Sequence, residues 1–317
     1  MVGSSCWTTY YFCWGDFMYR TGMGNNIKDM YMAIHNGLVD VGWLVHPIHH
    51  DSDGDVDEAV YEGTGAGTDK IYIMLSRYNT SDSIMLDACV GYDTSLGFFE
   101  QPGSLHQYLK ADGKKNPDIP KFVISNNERY YYWLFIDTYR VIVVCRMSIV
   151  YESMYIGFIN PIASERQYPY PMYVCGNSHM NGSSWPTNEN GSFVFPNNKC
   201  GWLRRASGEW RSFVCTKPDP SPSSEGTIFP YNSHNKKLVP SYTETDSITQ
   251  NNFLMIPIML QTNNPQDLSG LLRNCFWISG TRDIDAERIL VYDAEQYIVF
   301  DTKQDRGANT YFVVKME

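Results

Sequence analysis

The stretch between residues 129 and 174 constrains the fold more than any other part of the chain. Two runs rich in β-branched and aromatic residues, 130–136 and 140–147, flank a short polar break at residues 137–139. Strand-forming runs on both sides of so short a break are typical of a β-hairpin. The second run is almost continuously apolar, which predicts a strand that is covered on both faces and central in its sheet.

A third apolar run, residues 151–159, follows the hairpin and ends at Pro161. The chain then reads Tyr-Pro-Tyr-Pro-Met at residues 168–172. A residue that precedes proline is driven to extended geometry, and proline has no N–H for a strand ladder. This segment is therefore predicted to be stiff and extended, at a sheet edge or outside the sheet.

One amphipathic helix is predicted near the start of the chain, over about residues 26–41. Asn25 or Asn26 suits the N-cap, and Gly42 is a stop signal. Apolar residues recur between them at spacings of three and four, which places one apolar stripe on the helix: Ile27, Met30, Tyr31, Ile34 and Leu38. The stripe predicts packing against a core.

The remaining elements are mostly short runs of strand-forming residues separated by turn signals. They lie at residues 43–48, 70–77, 84–91, 121–125, 202–205, 209–213, 253–261, 271–279, 287–292, 296–301 and 311–315. Residues 293–295 form a tight-turn signal between two of these runs and predict a second hairpin. The fold class is therefore mainly β, with a sandwich- or barrel-like β domain or domains, long loops and one N-terminal helix.

Changes in amino-acid composition along the chain suggest three segments. Residues 1–175 form a β-rich domain that contains the helix and the central hairpin, and its first 25 residues suit a short strand or an arm on a neighbour. Residues 176–252 are dense in Gly, Asn, Ser and Pro and read as a loop-rich insertion or linking region. Residues 253–317 carry C-terminal hairpins that are predicted to complete the β fold.

Composition narrows the range of partners. The formal net charge is −10 and no basic run is present, which argues against binding to nucleic acid or to anionic membranes. The sequence has no run of 18 apolar residues and no signal peptide, so we expect no membrane span. Charged residues are only 19% of the chain while aromatic residues are 15%, a balance that suits protein–protein contact as well as a strand-rich core.

The eight cysteines are irregularly spaced and contain no C-x-x-C pair, so no zinc site is predicted. Cys89, Cys145 and Cys275 lie in apolar runs and are predicted to be small buried hydrophobic residues. We expect free, reduced thiols, as in a reducing compartment of synthesis.

An acidic stretch at residues 49–58 resembles a calcium-binding loop, with four candidate ligands: Asp51, Asp53, Asp55 and Asp57. If Gly54 takes position 6 of such a loop, His49 falls at position 1 and Val60 at position 12, where acidic ligands are needed. A transition-metal site using His46, His49 and His50 with an aspartate is the alternative. We predict a solvated hairpin loop without a specific metal, and no cofactor.

No catalytic constellation stands out, so the chain is predicted not to be an enzyme. There is no G-x-S-x-G nucleophile elbow, and the glycine-rich segment 63–67 precedes a strand, whereas a dinucleotide loop must open a helix. A triad assembled in space and a glycosidase carboxylate pair stay open as alternatives. Five aromatic residues are instead predicted to contact partner chains, and the tryptophans among them also suit stacking on sugars: Tyr168, Tyr170, Trp185, Trp202 and Trp210.

The segment 129–176 resembles a recurring pattern in structural proteins of tailed bacteriophages. That pattern has a Tyr/Trp-rich strand, a short turn, an apolar strand, a VY-x-S-x-Y-x-GF segment and an SQYPYPL-like segment, and the last two correspond to residues 150–158 and 166–172. Further similar segments extend the resemblance over nearly the whole chain: 63–73, 91–93, 101–103, 207–213 and 297–317. The family turn usually carries a glycine where this chain has residues 137–139, which leaves the turn type open but not the hairpin.

The resemblance implies a structural component of the virion, in the tail, the neck or collar, or the baseplate. It implies a homo-oligomer that contacts other virion structural proteins, assembled in the host bacterial cytoplasm, with no enzymatic role and no catalytic residues to assign. A receptor- or glycan-binding module on the virion is the alternative, and a polysaccharide hydrolase is a third interpretation.

Overall fold

The computed structural model describes residues 11–14, 17–50, 56–111, 119–125, 128–162, 171–179, 192–194, 200–205, 207–215, 255–262, 268–279, 285–302 and 310–316. The described part is mainly β, with antiparallel sheets in a sandwich-like arrangement and two helices. The predicted fold class is therefore confirmed.

The described strands are β1 (Tyr11–Trp14), β2 (Phe17–Gly24), β3 (Leu44–His50), β4 (Val56–Ala66), β5 (Asp69–Tyr78), β6 (Ser83–Cys89), β7 (Lys121–Val123), β8 (Tyr130–Asp137), β9 (Arg140–Met147), β10 (Val150–Phe158), β11 (Asn160–Pro161), β12 (Met172–Cys175), β13 (Gly201–Arg204), β14 (Trp210–Cys215), β15 (Met255–Thr262), β16 (Leu268–Ser279), β17 (Ile289–Tyr292), β18 (Glu295–Asp301) and β19 (Thr310–Lys315). The described helices are α1 (Ile27–Asp40) and α2 (Leu105–Ala111), and a 3-10 turn spans Phe98–Glu100.

Three β layers make up the fold. The central sheet has the order β1-β2-β8-β9-β10-β12-β13-β14, and the ladder continues from β14 into a C-terminal sheet of order β15-β16-β19-β18-β17. A separate five-stranded sheet has the order β3-β4-β5-β6-β7. The C-terminal sheet covers one face of the central sheet, as shown by Trp133 on β8 and Phe300 on β18, whose ring centroids are 5.3 Å apart. The five-stranded sheet and α1 cover the other face.

Strand β9 shows why the central sheet is apolar throughout. Its side chains alternate between two different cores. Val141, Val143 and Cys145 pack toward the five-stranded sheet, whereas Ile142 and Val144 pack toward the C-terminal sheet. A strand buried on both faces has no polar alternation, which confirms the central position predicted for this run.

Asp137 builds the turn of the central hairpin without glycine. Its Oδ1 accepts hydrogen bonds from the backbone N–H groups of Tyr139 (2.7 Å) and Arg140 (3.0 Å). Neither Thr138 nor Tyr139 has a positive φ, so this turn does not need glycine. An aspartate side chain that accepts hydrogen bonds from the N–H groups two and three residues later stabilises a turn that contains no glycine.

Helix α1 begins and ends where the sequence predicts. Asn26 is the N-cap, and its Oδ1 accepts a 2.9 Å hydrogen bond from the N–H of Asp29. At the other end Gly42 has φ +90°, and the N–H groups of Gly42 and Trp43 donate to the carbonyls of Val39 and Leu38. This pair of bonds closes the last turn around a residue in left-handed geometry, which glycine adopts without strain.

One helix was not predicted. Helix α2 is a second helix, and sequence analysis missed it because its apolar residues, Leu105 and Leu109, cover only one turn and a half. For the N-terminal region, where the sequence left a short strand or an arm on a neighbour open, residues 17–24 form the strand β2, which pairs with β8 inside the central sheet. The segment 163–170 lies outside the described residues.

The second predicted hairpin is confirmed as β17–β18, with Tyr292 opposite Glu295. Its two turn residues, Asp293 (φ +50°) and Ala294 (φ +65°), are both left-handed, as the tightest hairpin turns require. The strand ladder itself runs from β12 through β13 and β14 to β15, and so links all three segments proposed from the sequence.

Candidate functional site

Strands β3 and β4 form an antiparallel hairpin around the acidic stretch, with His50 opposite Asp57, so residues 56–58 belong to a strand and not to the predicted loop. Asp57 lies in β4 and is buried, and its Oδ2 accepts a 2.9 Å hydrogen bond from Nε of the buried Arg77 as well as one from Nη2. A buried guanidinium that binds a carboxylate in this way neutralises the negative charge that a metal ion would need. The interpretation of Asp57 as a metal ligand is therefore corrected, while Asp51, Asp53 and Asp55 lie outside the described residues.

His46, from the transition-metal alternative, pairs with a carboxylate. Its Nε2 lies 3.0 Å from Oε2 of Glu62, its ring stacks on Tyr92 at 4.3 Å, and Lys70 binds the other oxygen of Glu62. The Lys70 ammonium, followed by His46, lowers the pKa of the Glu62 carboxyl. Among the residues that the structure describes, no group of three or more His, Cys, Asp or Glu side chains suits a metal ion. The side chains of His49 and His50 lie outside the described part.

A chain of buried polar groups joins α1 to the five-stranded sheet. Tyr61 donates to Tyr31 (3.2 Å), and Nδ1 of His35 lies 3.0 Å from the Tyr61 hydroxyl. Burial raises the pKa of Tyr31 to about 12 and lowers the pKa of His35. Both shifts favour the neutral forms of the two side chains.

The tip of the central hairpin is the point where all three layers meet. The indole of Trp43, which follows α1, donates to the carbonyl of Asp137 (3.0 Å), and the N–H of Gly65 in β4 donates to the carbonyl of Thr138 (3.2 Å). On the other side Arg140 donates to the carbonyl of Arg273 in β16. The tip is thus bonded to the five-stranded sheet and to the C-terminal sheet at once.

Arg140 carries a buried charge at this junction. It is fully buried, and its Nε donates to Oδ2 of Asp137 at 3.0 Å. Burial opposes the positive charge, but the Asp137 carboxylate, with smaller contributions from Cys275 and Tyr155, outweighs burial and raises the pKa of Arg140. The Asp137 carboxylate is therefore occupied by Arg140, and the same guanidinium joins the hairpin tip to β16.

Asp87 is a second buried carboxylate, and it has a different set of partners. It accepts backbone hydrogen bonds from Ala88 (2.6 Å), Leu105 (2.8 Å) and His106 (3.1 Å). Burial raises the pKa of this carboxyl to about 7, against the lowering effect of the three N–H groups. The side chain anchors the first turn of α2 to β6.

Cys200 and His179 form the pair that comes nearest to a nucleophilic dyad in the described ranges. The Sγ of Cys200 and Nδ1 of His179 are 3.5 Å apart. Both side chains are buried, and neither is among the residues that line the described cavity. The neighbouring Asn177 amide donates to Glu152 (3.0 Å) and to the carbonyl of Val123 (2.8 Å).

A cavity of about 550 Å³ opens beside α2. Its lining mixes apolar and polar side chains: Leu96, Phe99, Glu100, Gln107, Lys110 and Ala111. Glu100 is the one carboxylate among these residues, so the cavity does not provide the facing pair of acids that glycoside hydrolysis uses.

The predicted aromatic contact residues divide into three groups. Trp210 is buried, and its Nε1 donates to the carbonyl of Gly103 (3.1 Å) within the core between the central and five-stranded sheets. This buried position does not suit the partner contact or sugar stacking predicted for Trp210, because β13 and β14 continue the central sheet and turn this ring inward. Trp202 is half-buried and packs against the same core. The remaining three lie outside the described residues: Tyr168, Tyr170 and Trp185.

Sequence analysis missed the most exposed apolar strand that the structure describes. In β17 the exposed fractions are 50% for Ile289, 68% for Val291 and 61% for Tyr292, whereas Leu290 is buried. The strand is the last one in the C-terminal sheet. The available signal was the unbroken apolar run of four residues, since a strand with one solvated face alternates apolar and polar side chains.

No protein-family model and no curated protein matches this chain. In the described part of the chain, neither helix has the length and apolar character needed to cross a membrane.

Proposed function

We propose that the chain is a structural component of a tailed-bacteriophage virion, and that it assembles as a homo-oligomer in the tail, the neck or collar, or the baseplate. The observation that carries the assembly role is β17, an edge strand with three exposed apolar side chains. Exposed apolar edges are association sites, because their backbone groups and side chains both lack partners within the sheet. The virion setting comes from the sequence resemblance.

The residues that carry the resemblance have framework roles in this fold. Residues 150–158 form β10, in the middle of the central sheet. The Ser153 hydroxyl lies 3.2 Å from that of Ser192, and the Tyr155 hydroxyl donates to the carbonyl of Phe158 (2.6 Å). At Gly157 an added Cβ would overlap the backbone of the central hairpin tip. A shared pattern of this kind supports a shared framework, which suits a structural protein.

The polysaccharide-hydrolase alternative requires two carboxylates that face one cleft. Asp57 and Asp137 are instead bound to Arg77 and Arg140. Glu152 is buried against Asn177. These partnerships favour a structural role, and the proposal assigns the chain no catalytic residue, no cofactor and no nucleic-acid or membrane partner.

The receptor- or glycan-binding alternative relied on an aromatic surface in residues 176–215. The burial of Trp210 removes one ring from that surface, and the half-burial of Trp202 reduces a second. Sugar recognition by stacking needs accessible ring faces. Assembly is therefore the better supported function.

Immunogold electron microscopy of intact particles tests the proposal. Antibody raised against this chain should label particles at one defined position, and antibody pre-absorbed with the purified chain should not. Label at the head–tail junction would identify a neck or collar component, and label at the distal tip would identify a baseplate component. Particles that carry no label would overturn the proposal.

A further inference from the structure

We propose that β17 is a homotypic contact, in which the β17 strands of two copies pair antiparallel across a two-fold axis normal to the sheet. Leu290 then lies opposite Leu290 of the second copy, and Ile289 lies opposite Val291. This inference rests on the proposed homo-oligomer and specifies one of its interfaces. It follows from the direction of the backbone groups, the faces of the side chains and the composition of the strand.

The backbone groups of β17 alternate between β18 and the free edge. Val299 donates to the carbonyl of Arg288 (3.0 Å), so the even-numbered residue at this end bonds toward β18. Opposite Val291 lies Gln296, whose carbonyl accepts from Met316 on the far side of β18. Since hydrogen-bonded and non-hydrogen-bonded pairs alternate along an antiparallel ladder, the N–H and C=O groups of Ile289 and Val291 point to the free edge.

The side chains of β17 are not those of a solvated edge strand, because they are apolar on both faces. Ile289 and Val291 share one face, and Leu290 and Tyr292 share the other. A strand that is apolar on both faces is typical of a sheet interior. In the described part of the molecule β17 has a neighbour on one side only, β18. A second strand along the free edge would supply the missing interior environment.

With two-fold symmetry, a single register provides partners for the backbone groups at the free edge and covers the apolar side chains. With Leu290 on the axis, the outward-bonding residues Ile289 and Val291 face each other, which allows about four backbone hydrogen bonds between the copies. Their side chains meet on one face as aliphatic cross-strand pairs. Beyond Tyr292 the left-handed turn at Asp293 carries the chain away, so the contact is confined to the strand itself, Ile289–Tyr292.

A second copy is favoured over an unrelated strand because this register satisfies β17 with its own sequence. An isologous contact of this type is the commonest way in which soluble proteins associate. A strand of another virion protein and the β1 edge of a neighbouring copy are the competing occupants, and the experiments separate them from self-pairing.

The first test measures the mass of the purified chain by sedimentation. The wild-type chain should form dimers or even-numbered assemblies. Val291→Lys should weaken association at least tenfold, because it places an ammonium group among the aliphatic pairs. The matched control is Val39→Lys, an exposed valine on α1, which should leave the assembly unchanged. A wild-type monomer, or a Val291→Lys variant with the wild-type mass, would overturn the inference.

The second test fixes the register by oxidative cross-linking. Residues opposite each other on the axis have Cβ atoms about 4.5–5.5 Å apart, which is near disulfide geometry. Leu290→Cys should therefore give a covalent dimer, whereas Ile289→Cys should not, because its counterpart is Val291. The wild-type chain under the same oxidant is the baseline. Cross-linking by Ile289→Cys alone, or by neither variant, would exclude this pairing.

These outcomes are separable from the virion proposal. Particles that are labelled by antibody while Val291→Lys keeps the wild-type mass would preserve the structural role and remove the β17 contact. A β17-dependent dimer of a chain that labels no particle would preserve the contact and remove the virion role.

Discussion

The central hairpin β8–β9 and the C-terminal hairpin β17–β18 have the same local construction, two antiparallel strands joined by two residues. Their surroundings are opposite. Strand β9 has a core on each face, whereas β17 exposes apolar side chains on both faces. Both strands have interior-type sequences, so the difference comes from their places in the sheet order and not from local propensity. An interior-type sequence at a sheet edge is best explained by a partner.

The two turns also differ in chemistry. In the central hairpin a charged side chain supports the turn, since Asp137 bonds two backbone N–H groups and Arg140. In the C-terminal hairpin the backbone itself supplies the geometry, with Asp293 and Ala294 both at positive φ. The first turn depends on the packing of three layers, and the second depends only on local conformation.

The largest effect is expected at Asp137. Asp137→Ala removes two backbone acceptors and leaves the buried Arg140 without its carboxylate, so the free energy of unfolding should fall by about 3–5 kcal/mol. Urea unfolding followed by tryptophan fluorescence measures this change. The matched control is Asp293→Ala in the other turn, which should lower the free energy of unfolding by less than about 1 kcal/mol. Equal losses in the two variants would contradict the contrast between the turns.

A second buried carboxylate, Asp87, is expected to make stability depend on pH. Asp87 has backbone N–H partners but no guanidinium, and burial raises its pKa to about 7. The folded state therefore holds this proton more tightly than the unfolded state does. The contribution of Asp87 to stability is largest below about pH 4, falls as the pH rises toward 7, and is constant above that.

The variant Asp87→Asn isolates this contribution. The free energy of unfolding of the wild-type chain, minus that of the variant, should fall by roughly 2–4 kcal/mol between pH 4 and pH 7. Urea midpoints at a series of pH values give this difference. A difference that stays constant would show that the three N–H groups balance burial, and one that rises with pH would show that they outweigh it; either result would contradict the prediction.

The next effect is expected at Gly157, which lies against the backbone of the central hairpin. Its φ is +148°, and an added Cβ would meet the backbone of Tyr139 and Arg140. Gly157→Ala should lower the free energy of unfolding by about 2–3 kcal/mol, because backbone must move to admit the methyl group. The control Gly91→Ala meets no atom within 4 Å and should change stability by less than about 0.5 kcal/mol. Thermal unfolding of both variants checks this.

Local features of the fold were predictable from the sequence. The stripe and caps of α1 follow from spacing, and both hairpins follow from strand-forming runs around short polar breaks. These signals are visible because each one involves residues that are close together in the chain. Helix α2 was not predicted because so short a helix depends on its hydrogen bonds to Asp87, and Asp87 lies in β6, far from α2 in the sequence.

Long-range partners were not predictable. The carbonyl that binds Arg140 belongs to Arg273, and the indole of Trp210 reaches Gly103. Nothing near Asp57 in the sequence shows that β5 brings Arg77 against it. The exposure of β17 depends on the strand order of the whole sheet, so its composition alone predicts burial. An apolar run predicts a buried strand. That rule gave the right position for β9 in the central sheet, and it hid the exposure of β17 at the edge of the C-terminal sheet.

The smallest expected effect sharpens the contrast between the two turns. Ala294 has φ +65°, which strains any residue with a Cβ, so Ala294→Gly should raise the free energy of unfolding by about 0.5 kcal/mol after the added chain entropy of glycine is subtracted. Thr138 has no such strain, and Thr138→Gly in the central hairpin should instead lower the free energy of unfolding by about 0.5–1 kcal/mol. Urea midpoints of the two variants should therefore move in opposite directions. A shared direction would mean that the two turns do not differ in the way that their backbone angles indicate.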